Sequence, residues 1–172
     1  MNTAVHVNTS TYAVAHVATN MLGSIRNIIK GSGLDPSRVR DSWSVLEAGL
    51  ATWLGSGHLQ AVTLEVYDPG TRGDDLVGRF DFHIDYGYYA GGNGDLWLDP
   101  DTVAYTIRKN GSFAARCEYR IVADTAAGRP DVAGWTETTY RSTAGFTRHV
   151  VGTAIGGGSL GASIAYYSRS SR

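Results

Sequence analysis

Apolar residues in the first part of the chain recur at steps of three and four. Val14, Val17, Ala18, Met21, Leu22, Ile25, Ile28 and Ile29 make one stripe between Tyr12 and Lys30, the pattern of an amphipathic helix of about five turns. Gly31-Ser32-Gly33 stops it. Asp35 and Pro36 then open a second helix, the carboxylate as N-cap acceptor and the proline at the first position, where a missing N–H costs nothing. Val39, Trp43, Leu46, Leu50 and Trp53 carry its apolar face as far as a second Gly-Ser-Gly at 55–57.

The period then changes to two. Val62, Leu64 and Val66 alternate with Ala61, Thr63 and Glu65, and after a turn-rich stretch Phe80, Phe82, Ile84 and Tyr86 alternate with Arg79, Asp81, His83 and Asp85, which predicts a β-hairpin with one apolar face. Asp99-Pro100-Asp101 starts a third helix carrying Val103, Ala104 and Ile107. A third strand follows, with Cys117, Tyr119, Ile121 and Ala123 on one side and Arg116, Glu118, Arg120 and Val122 on the other. From Ala126 onward no helical period appears, and Gly, Ser and Thr surround β-leaning patches such as FTRHVVGTAI and SIAYYS. The expected class is α+β, with helices on one face of an antiparallel sheet. The third strand's free edge must be covered by something, which makes it a candidate binding site.

Composition narrows the chemistry. The 172 residues carry a formal charge of −1, which argues against a nucleic-acid surface built on bulk charge. The single cysteine, Cys117, allows no intramolecular disulfide and no Cys-rich zinc site, and its apolar register reads as a buried, inert thiol. With no secretory leader and no apolar run of about 18 residues, the chain reads as a cytoplasmic protein that does not cross a membrane. Glycine, 22 residues in all, is close to twice its usual share of about 7%, but neither GGNGD nor AIGGGSLG has the lysine or the βαβ setting of a phosphate loop.

Asp81, His83 and Asp85 share one face of their strand, and two carboxylates flanking an imidazole suit a metal or acid–base catalysis. That is the basis for reading the chain as a metal-dependent hydrolase, and the plainer reading is a water-facing strand surface. Asp95, Asp99 and Asp101 lack the order of a calcium loop, and capping accounts for Asp99. Tyr86, Tyr88 and Tyr89 either roof the end of the sheet or stack on a ring ligand. A third alternative is a structural β protein whose open edge pairs with itself.

TYAVAHVATNMLGSIRNIIKGSGLDP, WSVLEAGLATWLGSGHL, VTLEVYDP, GRFDFHIDYGY, CEYRIVADTAAGRPDVAGW and YRSTAGFTRHVVGTAIG, in that order, resemble the bacterial HORMA domain proteins of CBASS anti-phage operons. The resemblance runs from about Tyr12 to the end of the chain. It implies three helices packed on an antiparallel sheet and a mobile C-terminal safety belt that rewraps around a short extended peptide, the closure motif. Carried onto this chain, it gives a single domain with a flexible N-terminal segment at 1–11, a core at 12–125 and a belt at 126–172. The peptide adds to the strand at roughly Ala115–Asp124, and the residues expected to line it are Arg116, Glu118, Arg120, Val122 and Asp124, with Trp135 and Tyr140 from the belt. The resemblance further implies a non-enzymatic adaptor, without cofactor or metal, that binds and activates a cGAS/DncV-like nucleotidyltransferase. An AAA+ ATPase resets the complex, gripping residues 1–10, and neither nucleic acid nor a membrane is a direct partner.

Overall fold

A computed structural model describes residues 3–87 and 96–170, with side chains from residue 11 onward. Helix α1 spans Thr3–Gly31, and Val17, Ala18, Met21, Leu22, Ile25, Ile28 and Ile29 along its stripe are wholly buried. It begins well before the stripe opens at Tyr12, so residues expected to be a flexible segment have helical backbone; once nucleated, a helix extends by one hydrogen bond per residue at little cost. At its end the Leu34 N–H donates to the Ile29 carbonyl (3.0 Å) and the Gly33 N–H to that of Lys30 (3.2 Å). This closure needs a left-handed residue, and Gly33 supplies it at φ +85°. Gly57 follows the helix that ends at Gly55 in the same way, with His58 N–H donating to the Trp53 carbonyl.

The second predicted helix is divided. Helices α2, Ser37–Asp41, and α3, Trp43–Gly55, are separated at Ser42, where Asp41 and Ser42 are poor helix formers whose side chains compete with the backbone. Asp35 accepts from Ser37 N (3.0 Å) and Ser37 Oγ (3.0 Å), although Pro36 occupies the cap position itself. Helix α4, Pro100–Asn110, is capped as expected by Asp99, which accepts from the N–H groups of Asp101 and Thr102. The described residues therefore form four helices rather than three.

The strands are β1 (Leu59–Asp68), β2 (Asp75–Asp85), β3 (Trp97–Leu98), β4 (Glu118–Thr125), β5 (Phe146–Gly157) and β6 (Leu160–Arg169). They form one antiparallel sheet in the order β3-β5-β6-β2-β1-β4. The hairpin has the expected register, with Val62 opposite Phe82 and Leu64 opposite Phe80, and these residues join α1 and α3 in one core with Ile155 and Ile164 of the last hairpin. Ile25→Ala removes a wholly buried side chain from that core, so chemical denaturation should show a loss of about 2–5 kcal/mol. Tyr88, Tyr89 and Asp95 lie outside the described residues. No helix among the described residues is long and apolar enough to cross a membrane.

The opposite face of the sheet departs from expectation. Thr63 and Glu65 are wholly buried and Asp81 is 7% exposed, although the alternation reads as polar and water-facing. The cover comes from the chain between β4 and β5, which leaves the sheet at its β4 end and rejoins it in β5, beside β6.

Candidate functional site

β4 ends the sheet, so alternate N–H and C=O groups along its outer side have no neighbouring strand. Among the described residues no main-chain hydrogen bond reaches that side. Its orientation follows from the pairing with β1. Tyr119 sits in the helix-side core with Ile121 and Ala123 packed against it, while Arg120 and Val122 lie opposite Glu65 and Thr63 on the other face.

The segment after β4 passes around this edge from one face to the other. On the helix side, Ala126 N–H donates to the His58 carbonyl (2.8 Å) and Trp53 Nε1 to that of Pro130 (2.7 Å). Trp135 meets Trp53 edge-on, with centroids 5.0 Å apart, and donates to the Val45 carbonyl at 3.0 Å. Three residues later the chain is on the far face. Arg120 donates to Thr138 Oγ1 (2.8 Å) and to the Thr139 carbonyl. The buried Glu65 carboxylate accepts from Arg120 Nε (2.6 Å), the Arg141 main-chain N–H (2.8 Å) and Arg141 Nη1 (3.0 Å). Arg141 also covers the Tyr67 ring at 3.7 Å. Between strap and strand lies an open groove of about 530 Å³, lined by Ile121, Val122, Ala123 and Asp124 on one side and by Trp135 and Glu137 on the other. An extended chain laid there would gain main-chain hydrogen bonds from β4.

The model of the family described as bacterial HORMA domain 2 matches residues 2–170. The chain belongs to this family. Solved structures share the fold at low identity. An E. coli MS115-1 CdnC:HORMA-deltaN complex is 9% identical over 94% of this chain and 90% of that one, with a TM-score of 0.55. C. elegans HTP-2 bound to the HIM-3 closure motif is 14% identical over 78% and 70%, with a TM-score of 0.54. The mitotic checkpoint complex is 9% identical over 78% and 74%, with a TM-score of 0.58. No curated protein matches.

In this HORMA domain the seven residues expected around the peptide fall into three groups. Val122, Asp124 and Trp135 line the groove. Arg120 lies under the strap, and Tyr140 belongs to the strap where it crosses the far face. Tyr140 Oη is 3.3 Å from Thr63 Oγ1 and its ring is covered by Arg79 at 4.1 Å, and burial pushes its phenol pKa up. Arg116 and Glu118 stand beyond the groove at the start of β4. The Arg116 guanidinium holds the Asp68 carboxyl below the usual carboxylate range, with Nε at 3.0 Å, and Glu118 accepts from the Tyr67 hydroxyl (3.1 Å). Sequence reasoning missed Ile121, Ala123 and Glu137 in the groove, Glu65 beneath the strap and Arg141 within it. The alternation places Ile121 and Ala123 on the helix side, but an edge strand shows both of its flanks to a neighbour.

The surface of Asp81, His83 and Asp85 does not assemble as a site. Asp81 accepts from Arg79 Nε (2.8 Å) and Nη2 (3.2 Å) and from Thr63 Oγ1 (2.8 Å), and is buried rather than water-facing; His83 is exposed. Asp85 Oδ1 accepts from Gly87 N–H at 2.9 Å. Among the described residues no three His, Cys, Asp or Glu side chains are grouped to hold a metal ion. Cys117 is half-buried, and burial pushes its thiol pKa up.

Gly49 of α3 makes room for Trp135. A Cβ there would run into the indole nitrogen of Trp135. Gly49→Ala should favour the isolated helix by about 1 kcal/mol yet dislodge Trp135, and limited proteolysis should then cut within residues 126–145 about tenfold faster with no loss of helical circular dichroism.

Proposed function

We propose that this chain is a peptide-sensing HORMA adaptor in CBASS anti-phage defence. A closure-motif peptide adds as a strand along β4, the belt at 126–172 holds it against the core at 12–125, and the closed form binds and activates a cGAS/DncV-like nucleotidyltransferase in the cytoplasm. The chain is not itself an enzyme. An AAA+ ATPase gripping residues 1–10 reopens it; side chains there lie outside the description, and the first turns of α1 must unwind for a grip of that kind.

The observation that carries this reading is the path of the strap around an unpaired sheet edge, with Trp135 on one face and Arg141 on the other. Five or six residues added to β4, at about 1 kcal/mol net for each main-chain hydrogen bond, give micromolar affinity. The clasp adds lifetime, because release then waits on strap opening, and a long-lived signal needs an ATP-driven reset. The names of the similar structures point the same way: HTP-2 is bound to a closure motif, and a bacterial HORMA protein is in complex with CdnC.

The test is to select extended peptides on the purified chain, then mix chain, selected peptide and nucleotidyltransferase. The expected result is a slowly dissociating peptide and cyclic-nucleotide synthesis that depends on it. Deleting residues 1–10 should stop ATPase-driven release and leave capture intact. Failure to retain any peptide above non-specific background contradicts the proposal.

A further inference from the structure

We propose that the guest held beside β4 is a basic peptide, with Lys or Arg at alternate positions and apolar residues between them. The inference rests on the adaptor reading and adds the chemistry of the ligand. Four charged residues line the groove: Asp124, Asp131 and Glu137 against Arg129. Arg129 is shared, lying 3.2 Å from Asp131 and 3.9 Å from Glu137, with its guanidinium over the Trp53 ring at 5.2 Å. Asp124 has no hydrogen-bond or ion-pair partner among the described residues, although it is half-buried beside the open edge. The groove therefore carries excess negative charge in a chain that is nearly neutral overall. The positive charges nearby are engaged elsewhere: Arg120 and Arg141 converge on Glu65 beneath the strap.

The two flanks of β4 set the alternation. A strand added to this edge has side chains pointing to opposite faces at successive positions. On the helix side they meet Ile121, Ala123 and Trp135, all packed against the core. On the other side they meet Val122 and Asp124, with Glu137 standing between Trp135 and the strap residues that cross to the far face. Cationic side chains there are attracted to carboxylates without displacing an existing partner of Asp124, and an acidic guest would be repelled.

Two fluorescein-labelled random decapeptide pools test this with the full chain. Both contain the same apolar residues; one has Lys and Arg but no acidic residue, the other Asp and Glu but no basic one. The basic pool should bind about tenfold more tightly, and that advantage should shrink as salt rises. Asp124→Lys should abolish or reverse the preference. Glu137→Gln, at a side chain 94% exposed whose loss the fold tolerates, should reduce it. Equal binding of the two pools, an acidic preference, or a preference unmoved in both variants overturns the inference while leaving peptide capture standing. Binding of neither pool contradicts the adaptor reading, and the inference with it.

Discussion

Glu65→Ala is expected to free the strap and to lower the unfolding free energy by about 3 kcal/mol, near the lower end for breaking a buried ion pair. Glu65 is wholly buried and makes charge-assisted bonds to two guanidiniums and one main-chain N–H. Its removal leaves Arg120 and Arg141 facing each other without a counter-charge. Their side chains are 29% and 20% exposed, so part of the lost solvation returns from water, which keeps the effect from the top of the range. The loss should be uneven across the molecule. Hydrogen exchange should quicken first at residues 138–142, where the chain is pinned by Arg120 and Glu65, and least in α1. Arg141→Ala should cost less, because Arg120 still answers Glu65, and the two changes should be strongly non-additive. Equal, additive losses would mean that the two residues do not act together on the strap.

Trp135→Ala is expected to shorten the residence time of a captured peptide by about a hundredfold, the kinetic equivalent of about 2.7 kcal/mol lost from the barrier to strap opening. The indole is the strap's principal apolar anchor on the helix side: it packs on Trp53, donates to Val45 and lies over Gly49. Because these contacts join strap to core rather than build the core, the thermal midpoint should fall less than a fully buried tryptophan would imply. Competition with unlabelled peptide reads the dissociation rate directly. A rate unchanged from the parent chain would show that the guest is held by β4 alone.

Much of this architecture is legible in the sequence because it is local. The stripe on α1, the paired Gly-Ser-Gly stops, the two-residue period of β1 and β2 and the Asp99-Pro100 start all depend on residues a few positions apart. The burial of Glu65 and Asp81 is not local. Their polar alternation is that of a wetted strand, and only a segment some seventy residues downstream of Glu65, delivering Tyr140 and Arg141, makes it an interior surface. The site divides along the same line. The exposed edge after the third predicted helix follows from strand count and order, so Val122 and Asp124 could be placed beside it. Arg116, just before β4, and Glu118, at its first position, come too early in the chain to reach the groove. Tyr140 faces Thr63 and Arg79 because the chain has crossed to the far face by the time it arrives, a turn that no period in the sequence encodes.

Hydrogen exchange of the full chain, alone and after capture of a selected peptide, tests the clasp most directly. Among the described residues β3 pairs with β5 at Ile155 and Gly156 and Asp99 N–H reaches the Ala154 carbonyl, but no strand pairs with the first part of β5 on that side, so the position of protection decides between two placements of the guest. With the guest on β4, amides within Tyr119–Asp124 should slow markedly together with those of residues 126–145, while β5 is unchanged. Slowing confined to residues 146–153, with β4 and the strap exchanging as before, would contradict that placement.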